Sequence, residues 1–366
     1  MKFILYIILF PFYIFSSPKF LHLSFHRTCL AEMEMIGDKL GIEIDSKYMS
    51  SCKPEEFDGE SMPFTAARYH LSKERVNKIY EINANLFSKY DGFIVSDTAP
   101  LARIFLQNIK DKPLIIWVCN RFNLGVVGDI EYYILFKEAL SKQNVRIVGY
   151  TPYEAFYAKK TYNINIDKII KPTGFAKSIE RSATHTKIPN SVVKNKTMFV
   201  PDYFNEKSFK IGNILQNNNI RFYHGQYQCP EELIGFKGII HIPAVMSNFF
   251  LFENVANGLI HFIPSKKFYI ELTKQRGFTF VFWHNSFSKP IYTDIFAHCE
   301  WYAKEHQDFF VYFDSWEDLA EKIKTTDYIK KSTAARDFAK IKYEEALIAW
   351  KDVFDTTKAN IQQSYK

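Results

Sequence analysis

Two short stretches repeat one pattern, and they narrow the possible folds more than any other feature of the chain. Gly92–Ser96 is an apolar run of buried-strand type, followed by Asp97-Thr98-Ala99-Pro100 and an amphipathic segment reaching about Ile109. Arg146–Tyr150 is a second such run, followed by Thr151-Pro152 and a segment reaching about Thr161. In each, a capping residue precedes a proline near the first helical turn, where a missing N–H costs nothing. Strand, tight turn and helix in succession are the pattern of a parallel sheet covered by helices.

The rest of the chain extends the pattern. Lys19–Phe25 reads as a strand and Thr28–Leu40 as a helix with Leu30, Met33, Ile36 and Leu40 on one face, stopped by Gly41. Ile42–Ile44 and Leu114–Val118 read as strands, Ser72–Lys89 as a helix, and Cys52–Arg68 as loop. A polar stretch ending near Lys196 marks a linker. Beyond it, strands are expected at Thr197–Val200, Ile220–Tyr223, Gly238–Ile242, Leu259–Ile263 and Phe309–Tyr312. Helices are expected at Ser247–Asn257, Lys266–Lys274, Thr293–Glu305, Trp316–Thr325 and about Ser332–Gln363. With 366 residues the chain holds two domains of ordinary size. The prediction is an α/β protein of two Rossmann-like domains, 18–180 and 197–340, joined by a linker at 181–196 and facing a cleft. A C-terminal helix occupies 341–366.

Composition excludes several classes. The formal charge of +7 is mild, and no Lys/Arg block or nucleic-acid signature appears, so no nucleic-acid partner is expected. Five scattered cysteines include no CxxC pair, so no metal site is expected. Met1-Lys2, the apolar run Phe3–Phe15 and Ser16-Ser17 have the layout of a secretory signal peptide over residues 1–17. That predicts the secretory pathway or secretion, with membrane contact only through this segment if it is retained.

Ser247-Asn248-Phe249-Phe250-Leu251-Phe252-Glu253-Asn254-Val255-Ala256-Asn257-Gly258 reads as a helix with a polar first turn, closed by Gly258 and followed by a strand and Pro264. Its amino end presents free N–H groups and a positive dipole end to a diphosphate. Glu253-Asn254-Val255-Ala256-Asn257-Gly258 resembles the E-A-x-A-x-G element of GT-B glycosyltransferases, in which the Glu holds the ribose of a nucleotide sugar. The resemblance implies a GT-B fold with the C-terminal helix packing back on the first domain. It also implies transfer of a sugar from a nucleotide-sugar donor, used as co-substrate without a further cofactor, to a glycan or glycoconjugate acceptor. Ser247, Asn248, Phe252, Glu253 and Asn254 are then donor-binding candidates. Retaining members carry a second acid eight positions earlier, where this chain has Val245; the expectation is inverting transfer without an obligatory metal.

Inversion needs a general base in the first domain. His26, after the first strand, suits the role, and Asp97, at the equivalent place after a later strand, is the alternative base or the partner that orients the His. Arg121 and Asn120 follow Leu114–Val118 and face the same cleft. Lys237, before Gly238–Ile242, is the first choice for a diphosphate cation. No GxGxxG, P-loop or GxSxG string is present. A non-catalytic carbohydrate-binding protein of the same fold is the alternative, and a nucleotide-sugar epimerase of related architecture a third reading.

Overall fold

A computed structural model describes residues 18–52, 70–109, 111–176, 188–189, 191–276 and 296–364. The leader expected at 1–17, most of the loop expected at Cys52–Arg68 and much of the expected linker lie outside them. Among the described residues, no helix is long and apolar enough to cross a membrane.

The first sheet is built from β1 (Lys19–Ser24), β2 (Glu43–Tyr48), β3 (Gly92–Ser96), β4 (Leu114–Val118), β5 (Val145–Gly149) and β6 (Lys168–Ile169). All pairs are parallel, in the order β2-β1-β3-β4-β5-β6. β3 and β4 are buried along their whole length, as continuous apolar runs covered on both faces must be. The covering helices are α1 (Arg27–Leu40), α2 (Lys73–Phe87), α3 (Arg103–Asn108), α4 (Ile130–Ala139) and α5 (Pro152–Tyr162). A buried histidine interrupts β1: His22, whose Nε2 lies 2.7 Å from Ser96 Oγ. Burial pushes its imidazole down to about 3, so it stays neutral in the core.

The second sheet comprises β7 (Met198–Pro201), β8 (Phe222–Gly225), β9 (Gly238–Ile240), β10 (His261–Pro264) and β11 (Val311–Phe313). It too is parallel, ordered β11-β10-β9-β7-β8. Its helices are α6 (Phe204–Ser208), α7 (Ile211–Asn217), α8 (Phe249–Ala256), α9 (Lys266–Arg276) and α10 (Trp316–Thr325). Numbered within its own domain, the first sheet runs 2-1-3-4-5-6 and the second 2-1-3-4-5. Each therefore has a switch point, between β1 and β3 in one and between β7 and β9 in the other, where ligands bind beyond the strands' carboxyl ends.

A helix of 37 residues, α11 (Tyr328–Ser364), ends the described chain. It begins against the second domain, where Ser332 Oγ donates to the Gly258 carbonyl at 2.7 Å. It ends on the first, where Trp350 meets Trp117 edge-on at 5.6 Å and Phe354 meets Phe20 at 5.5 Å. The return to the first domain is as expected; the helix is continuous through residue 341, so no break separates it from the second domain.

Three local expectations are corrected. β2 runs on to Tyr48, carried by pairing with β1 rather than by its own polar sequence. α4 went unpredicted because apolar residues surround it, with Ile130 and Ile134 exposed, and no helical period stands out. The helix expected at Thr293–Glu305 is, within its described part, helical only at Phe296 and Ala297; two 3-10 turns, Glu300–Tyr302 and Lys304–His306, separated by extended Ala303, take the place of the rest.

A candidate active site in the cleft between the sheets

The carboxyl ends of β1 and β3 put two titratable side chains at the first sheet's switch point. β1 ends at Ser24, whose Oγ accepts from the His26 backbone N–H at 3.0 Å. His26 then takes the N-cap position of α1 with extended backbone, but its side chain caps nothing. β3 ends at Ser96, and Asp97 follows with φ +64, a left-handed conformation that Asp tolerates better than most residues. The Asp97 carboxylate caps no helix; Oδ1 accepts from Asn120 Nδ2 at 2.9 Å and Oδ2 from Thr98 Oγ1 at 3.1 Å. Burial pushes the Asp97 carboxyl up, opposed by the nearby His26 charge and by these two hydrogen bonds. A strained backbone holding a buried acid beside an exposed imidazole is the pattern of a functional site.

The second domain supplies the facing wall. Asn248 caps α8, its Oδ1 accepting from Leu251 N at 3.1 Å. Phe249 crosses into the first domain, stacking on His26 with centroids 5.3 Å apart and meeting Tyr150 at 5.2 Å and Trp117 at 6.1 Å. The loop before α8 is fastened from behind. Asn205 Nδ2 and the Tyr269 hydroxyl donate to the Pro243 carbonyl at 2.8 and 2.9 Å. Trp301 Nε1 holds the Val245 carbonyl at 3.0 Å, and the Glu300 N–H holds that of Met246 at 3.0 Å. With those carbonyls turned into the second domain, the loop presents its other face to the cleft.

The two walls enclose about 270 Å³, lined by His26, Asp97, Cys119, Asn120, Arg121, Tyr150, Tyr153, Glu154 and residues 245–249. That is slightly below the range of ligand pockets, ~300–1,000 Å³, and fits a sugar-sized group better than a whole nucleotide sugar. The amino ends of α1 and α8 and the Arg121 guanidinium give the pocket three sources of positive potential. Glu154 is committed to the α5 cap, where Oε2 accepts from Thr151 N at 2.8 Å and Thr151 Oγ1 at 2.5 Å, and burial pushes it up to about 7.

Of the expected site residues, the structure brings His26, Asp97, Arg121, Ser247 and Asn248 together around this pocket. Others are elsewhere. Phe252 is buried, edge-on to Tyr150 at 5.8 Å, and Asn254 is fully buried with Nδ2 3.3 Å from His261 Nε2; both belong to the core. Glu253 is half-buried further along α8, on the side facing Gly174 and Glu32. Lys237 is corrected by strand direction: it precedes β9, so it lies at the amino end of the parallel sheet, opposite the cleft. Its Nζ sits 5.1 Å over the Tyr328 ring. Sequence reasoning missed Cys119 and Tyr150, although each follows directly on a strand's carboxyl end. It also missed Phe249 as a contact across the domains, one phenylalanine among 35.

Among the described residues, Glu300, Glu305 and His306 have the spacing of metal ligands. Lys171 answers their charge instead, with Nζ 2.8 Å from Glu300 and 2.7 Å from Glu305, and thereby ties the end of the first domain to the second.

No family model and no curated protein matches the chain. Solved structures resemble it at low identity. The glycosyltransferase SnogD from Streptomyces nogalater is similar over 93% of this chain and 100% of its own, at 10% identity and a TM-score of 0.48. The calicheamicin glycosyltransferase CalG4 is similar over 96% and 100%, at 10% and 0.45. A UDP-N-acetylglucosamine 2-epimerase is similar over 92% and 96%, at 11% and 0.45. Two parallel Rossmann-like sheets that share the order 2-1-3-4-5, facing a cleft and tied by a returning C-terminal helix, give this chain the GT-B fold.

Proposed function

We propose that the protein is an inverting glycosyltransferase that moves a sugar from a nucleotide-sugar donor to a glycan or glycoconjugate acceptor, without an obligatory metal. The observation that supports it most is the pairing of exposed His26 with buried Asp97 in a pocket walled by both domains. His26 accepts the proton of the acceptor hydroxyl as the new bond to the anomeric carbon forms and the bond to the diphosphate breaks. Asp97 favours the imidazolium that results. Arg121 and the amino ends of α1 and α8 meet the charge on the departing diphosphate. The leader at residues 1–17 supports a place in the secretory pathway, where such acceptors are made.

The test is a screen of nucleotide-sugar donors and glycan acceptors, scored by released nucleoside diphosphate and by the anomeric configuration of the product. Acceptor-dependent release that is lost in His26→Ala supports the reading. Nucleotide binding without release would make the chain a binder, and retained configuration would remove His26 from the role of base.

A further inference from the structure

We propose that Asn195 carries an N-linked oligosaccharide, attached as the chain enters the secretory lumen behind its leader. The inference rests on the secretory reading of residues 1–17 and on no part of the catalytic one. Asn195-Lys196-Thr197 is the one Asn-x-Ser/Thr string in the 366 residues, and its middle residue is not proline. In a secreted chain such a string is the acceptor for lumenal oligosaccharide transfer, and it belongs on the surface because the added group is bulky and hydrophilic.

The structure places it there. Lys194–Lys196 form a 3-10 turn directly before β7, with Asn195 exposed and Thr197 buried. The turn is held by its neighbours: Thr197 Oγ1 donates to the Val193 carbonyl at 2.7 Å, Lys237 N to the Thr197 carbonyl at 3.0 Å, and Lys194 Nζ to the Glu232 carbonyl at 2.6 Å. Asn195 takes part in none of these bonds. Because the turn precedes β7, it lies at the amino end of the second sheet, with the length of the strand between it and the cleft. A bulky group there leaves the pocket open. Two apolar side chains flank the turn at the surface, Val193 at 44% and Ile234 at 51% exposed. Ile234 adjoins Gly235, whose Cβ position lies 3.8 Å from the Lys194 side chain. A glycan on Asn195 shields both.

The folded geometry also fixes when transfer happens. The acceptor string is read through the Thr hydroxyl as well as the Asn amide. In the folded chain that hydroxyl is buried and bonded to the Val193 carbonyl, so transfer precedes folding of the second domain. The Asn195 amide nitrogen attacks the anomeric carbon of an oligosaccharide carried on a lipid diphosphate. The bond from that carbon to the diphosphate oxygen breaks, and the oxygen keeps the electron pair. The amide proton passes to a base of the lumenal oligosaccharide transferase. The products are an N-glycoside and a free lipid diphosphate.

The experiment expresses the full chain in cultured eukaryotic cells, beside residues 18–366 placed behind an established secretion signal. Each product is run with and without peptide N-glycosidase, which converts a glycosylated asparagine to aspartate, and its peptides are mapped by mass. The expected result is a single-step mobility shift on enzyme treatment of both products, with the conversion at Asn195. The shift is absent in Asn195→Gln, which changes an exposed side chain, and in Thr197→Val, which keeps the buried shape and removes the hydroxyl. Residues 18–366 delivered to the lumen yet unmodified at Asn195 would overturn the site. Modification of that product but not of the full chain would overturn the proposal at its leader. A shift that persists in Asn195→Gln would put the glycan elsewhere and overturn it too. No transfer activity enters these readouts, so failure of the catalytic reading leaves them unchanged.

Discussion

The His26 imidazole, in the first domain, lies nearly parallel to the Phe249 ring, in the second, with centroids 5.3 Å apart and planes 17° from parallel. The helix that opens the donor-side wall thus rests on the residue proposed as base. Truncating the ring in Phe249→Ala removes this contact and those with Trp117 and Tyr150. The expected cost is about 3 kcal/mol of stability, as for other buried Phe truncations. Urea denaturation should show the loss, and KM for the acceptor should rise because His26 is no longer steadied.

His26→Ala should lower transfer by roughly 10²–10⁴-fold with the fold intact, the usual range for removing a general base. Asp97→Asn keeps the hydroxyl of Thr98 and the amide of Asn120 nearby but removes the charge beside His26. It should lower kcat and move the alkaline-rising limb of the pH–rate profile downward, because a neighbouring carboxylate no longer favours the imidazolium. An unchanged profile would separate Asp97 from the chemistry.

Glu32 gives a pH dependence of stability with a definite sign. Burial pushes its carboxyl up to about 7 although Oε1 accepts from Thr173 N, and the nearby Glu253 charge pushes the same way. The native state therefore holds this proton across the window from about 4.5 to about 7, where the unfolded chain has released it. The stabilisation is complete below that window and is lost as pH rises through it. At about 1.4 kcal/mol per pH unit the loss is about 3 kcal/mol. Glu32→Gln should flatten this part of the stability curve and raise the melting temperature at pH 8.

Gly174, with φ +73, lies where a Cβ would overlap the Phe252 carbonyl. Gly174→Ala should cost more than about 2 kcal/mol, from the left-handed backbone and from displacement of α8. A thermal melt near that of the wild type would show that the segment after β6 yields more readily than its packing indicates.

Arg121 and Lys237 separate the two ends of the molecule. Arg121→Ala should weaken binding of a nucleoside diphosphate about tenfold or more, as loss of a charged hydrogen bond does. Lys237→Ala should leave that binding unchanged, because Lys237 sits at the amino end of the second sheet, opposite the cleft. Titration calorimetry on both variants decides the matter.

The fold was legible because buried parallel strands announce themselves. Gly92–Ser96 is apolar but for its last residue and Leu114–Val118 is apolar throughout, and their observed bounds are those read from sequence. The position of His26, Asp97 and Arg121 in the cleft was legible from strand direction: each lies just beyond the carboxyl end of a strand, and in a parallel sheet those ends line the cleft. Strand direction also explains the error at Lys237, which precedes its strand. Glu253, Phe252 and Asn254 were chosen from a local string, yet side-chain direction on α8 depends on what the helix packs against. Phe249 points at His26, and so the following turn faces Gly174 and the core. No local pattern specifies that docking, because its partners, from His26 to Gly174, lie far from α8 in the sequence.

At about 1.5 Å per residue, the unbroken helix from Tyr328 to Ser364 is a rod of roughly 55 Å. One end is bonded to Gly258 beside the second sheet, and the other is wedged by Trp350 and Phe354 against the first. The two halves of the molecule are thus joined by a stiff brace as well as by their connecting chain. Separation of the halves must pivot about that brace rather than by free swinging, so the mouth of the cleft opens far more readily than its base.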